Sequence, residues 1–205
     1  MLLDRSFYLR EDVVAIAREL IGKYIVTTFD GELTSGMVTE TEAYAGITDR
    51  ASHAFGDRNT ARTEVMYRQG GTAYIYLCYG IHSLFNIVTN CGGIPHAVLI
   101  RAIRPIAGIG VMERRMGRKA GSRSFSTGPG NVAKALGIHY SVSGADLCAC
   151  PTDPEENCIW MEDRGFVPAE DEILSGPRIG VAYAREDALL PYRFSLKQAQ
   201  KKSSV

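Results

Sequence analysis

The run Thr39-Glu40-Thr41-Glu42-Ala43-Tyr44 sets two carboxylates and a phenol among β-forming residues. In an extended strand, residues two apart leave on the same face, so Glu42 and Tyr44 point the same way. Two readings are open. On the exposed face of an edge strand, Glu40 and Glu42 are surface acids paired with nearby arginines. On a central strand, a carboxylate beside an arginine suits a general base: the guanidinium lowers its pKa, keeps it ionised and helps hold one water. Arg101 is the candidate partner, because it interrupts an apolar run (Ala97-Val98-Leu99-Ile100, then Ala102-Ile103) where a buried charge needs pairing.

A second concentration of chemistry is Tyr74-Ile75-Tyr76-Leu77-Cys78-Tyr79-Gly80. Three tyrosines in six residues serve cross-strand packing in many proteins. Tyr79 differs, because Gly80 and His82 put it at a hairpin tip, where burial is hard. An exposed aromatic on a rigid tip suits insertion into a stack, as in proteins that wedge and kink duplex DNA. His53 sits in a polar loop, and the other histidines (His82, His96, His139) have no metal-site spacing. There is no G-x-S-x-G elbow, phosphate loop, dinucleotide fingerprint or zinc-deaminase signature. A water-activating carboxylate, an aromatic pocket and a wedge fit hydrolysis of a stacked heterocycle without a cofactor or metal.

These groups are carried on 205 residues, 45% apolar and 22% charged, the composition of an ordinary globular domain. The expected organisation is one domain over residues 1–196 with a polar tail at 197–205. No stretch reaches the ~20 apolar residues of a membrane span, and the first residues carry no export signature, so a cytoplasmic protein without a membrane partner is expected. Five cysteines (Cys78, Cys91, Cys148, Cys150, Cys158) leave one over in any pairing, and reduced thiols are expected. Cys148-Ala149-Cys150 with Cys158 lacks the paired spacing of a zinc site. Net charge is zero, yet residues 101–123 hold seven bases and one acid, and residues 146–172 hold nine acids and one base. A basic centre is compatible with a polyanionic partner; two solvated faces explain the pattern equally well.

The positioning elements follow from pattern. Residues 11–21 have helical apolar periodicity, closed by Gly22. Residues 24–29 and 37–44 read as a hairpin around Asp30-Gly31. Residues 50–69 are loop-like. Residues 72–79 and 84–89 form a second hairpin, and 97–103 a buried strand closed by Pro105. Helices are expected at 108–116 and 132–136, the latter opening on Gly128-Pro129-Gly130, whose free N–H groups suit an anion. Late strands are expected at 179–183 and 192–196. Elements grouped in blocks predict an α+β fold around an antiparallel sheet.

Taken in order, Glu40-Thr41-Glu42-Ala43-Tyr44, His53, the run from Gly71 to Gly80, Asn86, the run from Val98 to Pro105, Gly128-Pro129-Gly130 with Ala133-Lys134-Ala135-Leu136, and Pro177-Arg178-Ile179-Gly180-Val181 resemble the alkyladenine (3-methyladenine) DNA glycosylase family. The match covers nearly the whole chain, and the brief N-terminus resembles the bacterial form. The resemblance implies a single domain with a curved antiparallel sheet, surrounding helices and a protruding β-hairpin. It implies a base-excision-repair hydrolase, monomeric and cofactor-free, that flips alkylated or deaminated purines out of double-stranded DNA. Glu42 would be the base, with Arg101 and the Ile179 carbonyl positioning the water. Tyr44 and Tyr76 would stack on the flipped base, His53 would meet its edge, and Asn86 would disfavour the guanine amino group. Tyr79 would fill the gap in the duplex, and Gly128, Gly130 and Lys134 would contact phosphate. Two departures bear on substrate range: Ile81-His82 follows the wedge position, and Asn131 stands where the family commonly has a basic residue. A DNA-binding domain of the same fold without activity, and a nucleoside hydrolase, are the alternative readings.

Overall fold

β1 (Tyr24–Phe29) turns into β2 (Glu32–Tyr44) through Asp30 and Gly31, both at positive φ (54° and 71°), as an Asp-Gly hairpin requires. The computed structural model describes residues 1–149, 153 and 156–197. β2 is the spine of the sheet. Its first half pairs with β1, and residues from Ser35 to Tyr44 pair with β5 (His96–Ala107). At Glu40 to Glu42 its other side pairs with β8 (Arg193–Leu196). Glu42 therefore has Leu99 on one side and Arg193 on the other, which excludes the edge-strand reading.

The sheet runs β3 (Ala73–Cys78), β4 (His82–Thr89), β5, β2, β1, β6 (Cys158–Glu162), all antiparallel, while β8 joins β2 to β7 (Ile173–Gly176). Register shifts interrupt the β2–β5 pairing at Ser35/Gly36, Val38/Glu40 and Glu40/Thr41, irregularities of the kind that bend a strand. Four α-helices surround it among the described residues: α1 (Arg5–Tyr8), α2 (Val13–Glu19), α3 (Ile109–Met116) and α4 (Pro129–Leu136). Asp12 caps α2 through Val14 N–H and Ala15 N–H. Thr41 donates to the Ala17 carbonyl of α2 (2.7 Å). Strand alternation then turns Glu40 and Glu42 to the opposite face, away from the main core.

The α+β architecture matches the sequence expectation, with five local differences. β5 passes through Pro105 to Ala107, because Pro105 pairs at the Ser35/Gly36 bulge and β4 does not extend alongside it. Residues 179–183 are not a strand. Pro177 lacks an N–H and Gly180 takes φ 78°, and the chain continues into a 3₁₀ segment, Ala182–Leu189. β6, unanticipated within an acidic segment, buries Ile159 and Met161 against β1. α1 and β7 were also unanticipated.

Candidate active site

The Glu42 side chain is completely buried, and three donors hold its carboxylate. Ile179 N–H reaches Oε1 at 2.7 Å, and Tyr44 Oη–H and Arg101 Nη1 reach Oε2 at 2.9 and 3.3 Å. Arg101 is shared with Glu40 through Nε (3.3 Å), and Glu40 is also paired with Arg193 (3.2 Å). Burial raises the Glu42 pKa above the ordinary carboxylate value. Arg101, the Ile179 N–H and Tyr44 pull it down, and Glu40 adds a further upward push. The expectation of an arginine-lowered carboxylate is corrected here: desolvation outweighs the guanidinium. Burial also raises the Tyr44 pKa, followed by the Glu42 charge, so the phenol stays protonated and donating.

A cavity of about 200 Å³ is lined by the three residues that bind this carboxylate, Tyr44, Arg101 and Ile179, and by His53, Tyr76, Asn86, Tyr74, Met66, Leu99 and Tyr183; Glu42 itself lies behind its donors and is not part of the cavity wall. The cavity is smaller than the roughly 300–1,000 Å³ of drug-sized pockets and suits a single ring system. His53 Nδ1 hydrogen-bonds the Tyr74 hydroxyl (2.9 Å), and its ring meets Tyr76 edge-on with centroids 4.6 Å apart. Burial, then Arg62 and Arg58, lowers the His53 pKa to about 4, so the imidazole is neutral at pH 7. Arg62 lies 5.0 Å from the Tyr76 ring centroid. Asn86 is buried on β4, and its Nδ2 donates to the carbonyls of Tyr74 (3.1 Å) and Leu84 (3.2 Å). Only its Oδ1 is left for a ligand.

Tyr79 caps the β3–β4 hairpin at the cavity mouth, 92% exposed, with Ile81 74% exposed beside it. Tyr79 and Gly80 both have positive φ (52° and 71°), an uncommon conformation for an aromatic residue. Gly128 and Gly130 bracket Pro129, which lines the cavity, and a Cβ on Gly130 would lie 3.1 Å from the His82 ring. The start of α4 thus braces the hairpin beside its tip. Lys134 lies in the last turn of α4, exposed and about 6 Å farther along the axis. Of the basic segment, Arg101 alone lines the cavity, while Arg114 pairs with Glu32 and Lys119 with Glu113.

Ile179 contacts Glu42 through its N–H, a contact additional to the water-positioning that the resemblance implies for its carbonyl. Sequence reasoning also missed Asp49 and Arg178, whose side chains form a buried ion pair at 2.5 and 2.8 Å. The one available signal was an arginine immediately before Ile179. Among the described residues no group of three His, Cys, Asp or Glu is arranged to hold a metal ion, and Cys150 lies outside them. No helix among them is long and apolar enough to cross a membrane.

Residues 6–200 match the methylpurine-DNA glycosylase family. A protein of Chlamydia felis is 42% identical over 196 residues, covering 95% of this chain and 96% of its own. One of Chlamydia abortus is 43% identical over 196 residues (95% and 98%), and one of Methanocella arvoryzae 41% over 192 (94% and 90%). All three carry the provisional name 3-methyladenine DNA glycosylase. With the family match spanning β1 to β8 and every residue of the cavity, the chain belongs to the methylpurine-DNA glycosylase family.

Proposed function

We propose that the protein is a monofunctional DNA glycosylase that takes alkylated purines, and more slowly deaminated ones, out of duplex DNA and hydrolyses their N-glycosidic bond. The observation that carries this reading is the buried Glu42 carboxylate, bound by Arg101, Tyr44 and Ile179 behind an aromatic cavity sized for one base. Water attacks C1′ as the bond to the base nitrogen breaks. The bonding pair leaves with the base, and the water proton passes to Glu42. A base alkylated on a ring nitrogen is cationic and departs neutral, so it needs no acid. Placement and electrostatics supply the rest of the barrier reduction.

Tyr44 and Tyr76 as stacking walls favour electron-poor cationic rings. His53, neutral at pH 7, has no spare proton for a neutral leaving group such as hypoxanthine. Asn86, fixed by two backbone carbonyls, opposes the 2-amino group of guanine, a penalty that the easier departure of cationic 7-methylguanine offsets. Tyr79 fills the vacated stack, and the Gly128–Gly130 turn and Lys134 meet the backbone phosphates. Among the described residues no lysine lines the cavity, which supports hydrolysis without a Schiff base or strand cleavage.

The protruding tip favours a duplex substrate over a free nucleoside. The test is incubation of the protein with randomly methylated duplex DNA and chromatography of what is released. Free methylated purines with intact strands are the expected products, and undamaged duplex should compete while free nucleosides should not. Release from nucleosides alone would overturn the reading.

A further inference from the structure

We infer that Arg178 is a positioning residue that holds Glu42 and its donor in register; this rests on the reading of Glu42 as the base. Three of the segments around the cavity meet at Arg178. β2 carries Glu42 and Tyr44, the 45–53 loop carries His53, and the 177–189 segment carries Ile179 and Tyr183. Arg178 bonds to all three. Nη1 donates to the Ala43 carbonyl (2.8 Å) and Asp49 Oδ2 (2.5 Å), and Nη2 donates to Asp49 Oδ1 (2.8 Å) and the Asp187 carbonyl (3.1 Å). The guanidinium also lies 4.9 Å from the Tyr44 ring centroid and 5.3 Å from that of Tyr192.

Two further observations point beyond simple packing. The Arg178 side chain is completely buried, and its Nε has no hydrogen-bond partner. Burying an ion pair carries a desolvation penalty that well-packed apolar residues avoid, so fold maintenance alone is a weak account of it. The peptide that follows Arg178 carries the N–H bound to Glu42 Oε1. Any slack in the guanidinium passes to that donor through one residue. Lysine keeps the charge but lacks the planar fork that serves a carboxylate and two carbonyls at once.

The Ile179 N–H is one of the groups that offset the burial of Glu42. Loosening it leaves the carboxyl harder to ionise. The test uses Arg178→Lys and Asp49→Asn, with two readouts. One is the Glu42 carboxyl titration followed by ¹³C NMR in the free protein, assigned with Glu42→Gln. The other is single-turnover release of methylated purine across pH. Whichever variant folds should titrate Glu42 at higher pH than the wild type and carry its acid limb upward. Its neutral-pH rate should fall roughly tenfold, the loss expected of one hydrogen bond to a charged group, with duplex retention unchanged. A folded variant with wild-type titration and pH profile overturns the inference. Loss of folding in both overturns it too, since that assigns the pair to fold maintenance. The titration needs no turnover, so an active Glu42→Gln protein would sink the base reading and leave the effect of Arg178 on the carboxyl standing.

Discussion

Ile179 donates its backbone N–H to Glu42 Oε1 at 2.7 Å from a position 137 residues downstream, and so joins a late segment of the chain to the C-terminal end of its central strand. Burial opposes ionisation of this carboxyl, and Ile179, Arg101 and Tyr44 favour it. The outcome is a carboxyl whose pKa lies above that of a free carboxylate, which suits the role of base proposed for it.

Activity should therefore fall on the acid side at a pH above the ordinary glutamate value of about 4.3. Single-turnover rates measured against pH with a 7-methylguanine duplex give the midpoint. A limb at or below the ordinary value would contradict the balance described for Glu42.

The same shift has a stability consequence. A carboxyl whose folded pKa is raised contributes stability below its unfolded pKa, and that contribution is lost as pH rises through the folded value. The wild type should therefore gain stability relative to Glu42→Gln, which does not titrate, as pH falls from 7 through the raised pKa towards the ordinary one. Thermal unfolding of both proteins at several pH values checks this, and a wild type that loses ground to the variant towards acid counts against it.

With its pKa lowered to about 4, His53 keeps the same charge through the neutral range. The ratio of 7-methylguanine to hypoxanthine excision rates should hold constant from about pH 5.5 to 8, because Glu42 affects both alike. A ratio that drops with a midpoint near 6.5 would mean that a protonated His53 assists the neutral base.

Tyr79 is almost fully exposed, so Tyr79→Ala should leave thermal unfolding nearly unchanged. Base–aromatic stacking is worth about 1–3 kcal/mol, so retention of a lesion-bearing duplex should weaken roughly 5- to 150-fold. Equal affinity of the two proteins, measured by fluorescence anisotropy, would rule out the wedge.

Asn86→Ala should release detectable unmodified guanine, and should lower stability by about 1–2 kcal/mol through the lost bonds to Tyr74 and Leu84. Chromatography of undamaged duplex after prolonged incubation reads the first effect and denaturant unfolding the second. A destabilised variant that still spares guanine would separate Asn86 from discrimination.

Local pattern made part of this site legible. Strand alternation put Glu42 and Tyr44 on one face, the Asp-Gly turn located β1 and β2, and Tyr-Gly marked the hairpin tip. An arginine in an apolar run correctly indicated a paired charge at Arg101. What pattern could not reveal was the balance at Glu42, because the extent of burial depends on β8 and the 177–189 segment closing over β2. The Asp49–Arg178 pair was equally hidden, since its partners are 129 residues apart and neither has a distinctive local setting. Residues 179–183 have strand-forming side chains, but Pro177 and Gly180 and the demands of the site give them an irregular course.

The most direct test of the account compares wild type and Glu42→Gln on methylated duplex DNA under single-turnover conditions, with binding to the same duplex measured in parallel. The account predicts that the variant binds the duplex and releases methylated purine at least about 100-fold more slowly, the lower end of what a general base contributes. Release at the wild-type rate by a protein without this carboxylate would contradict it.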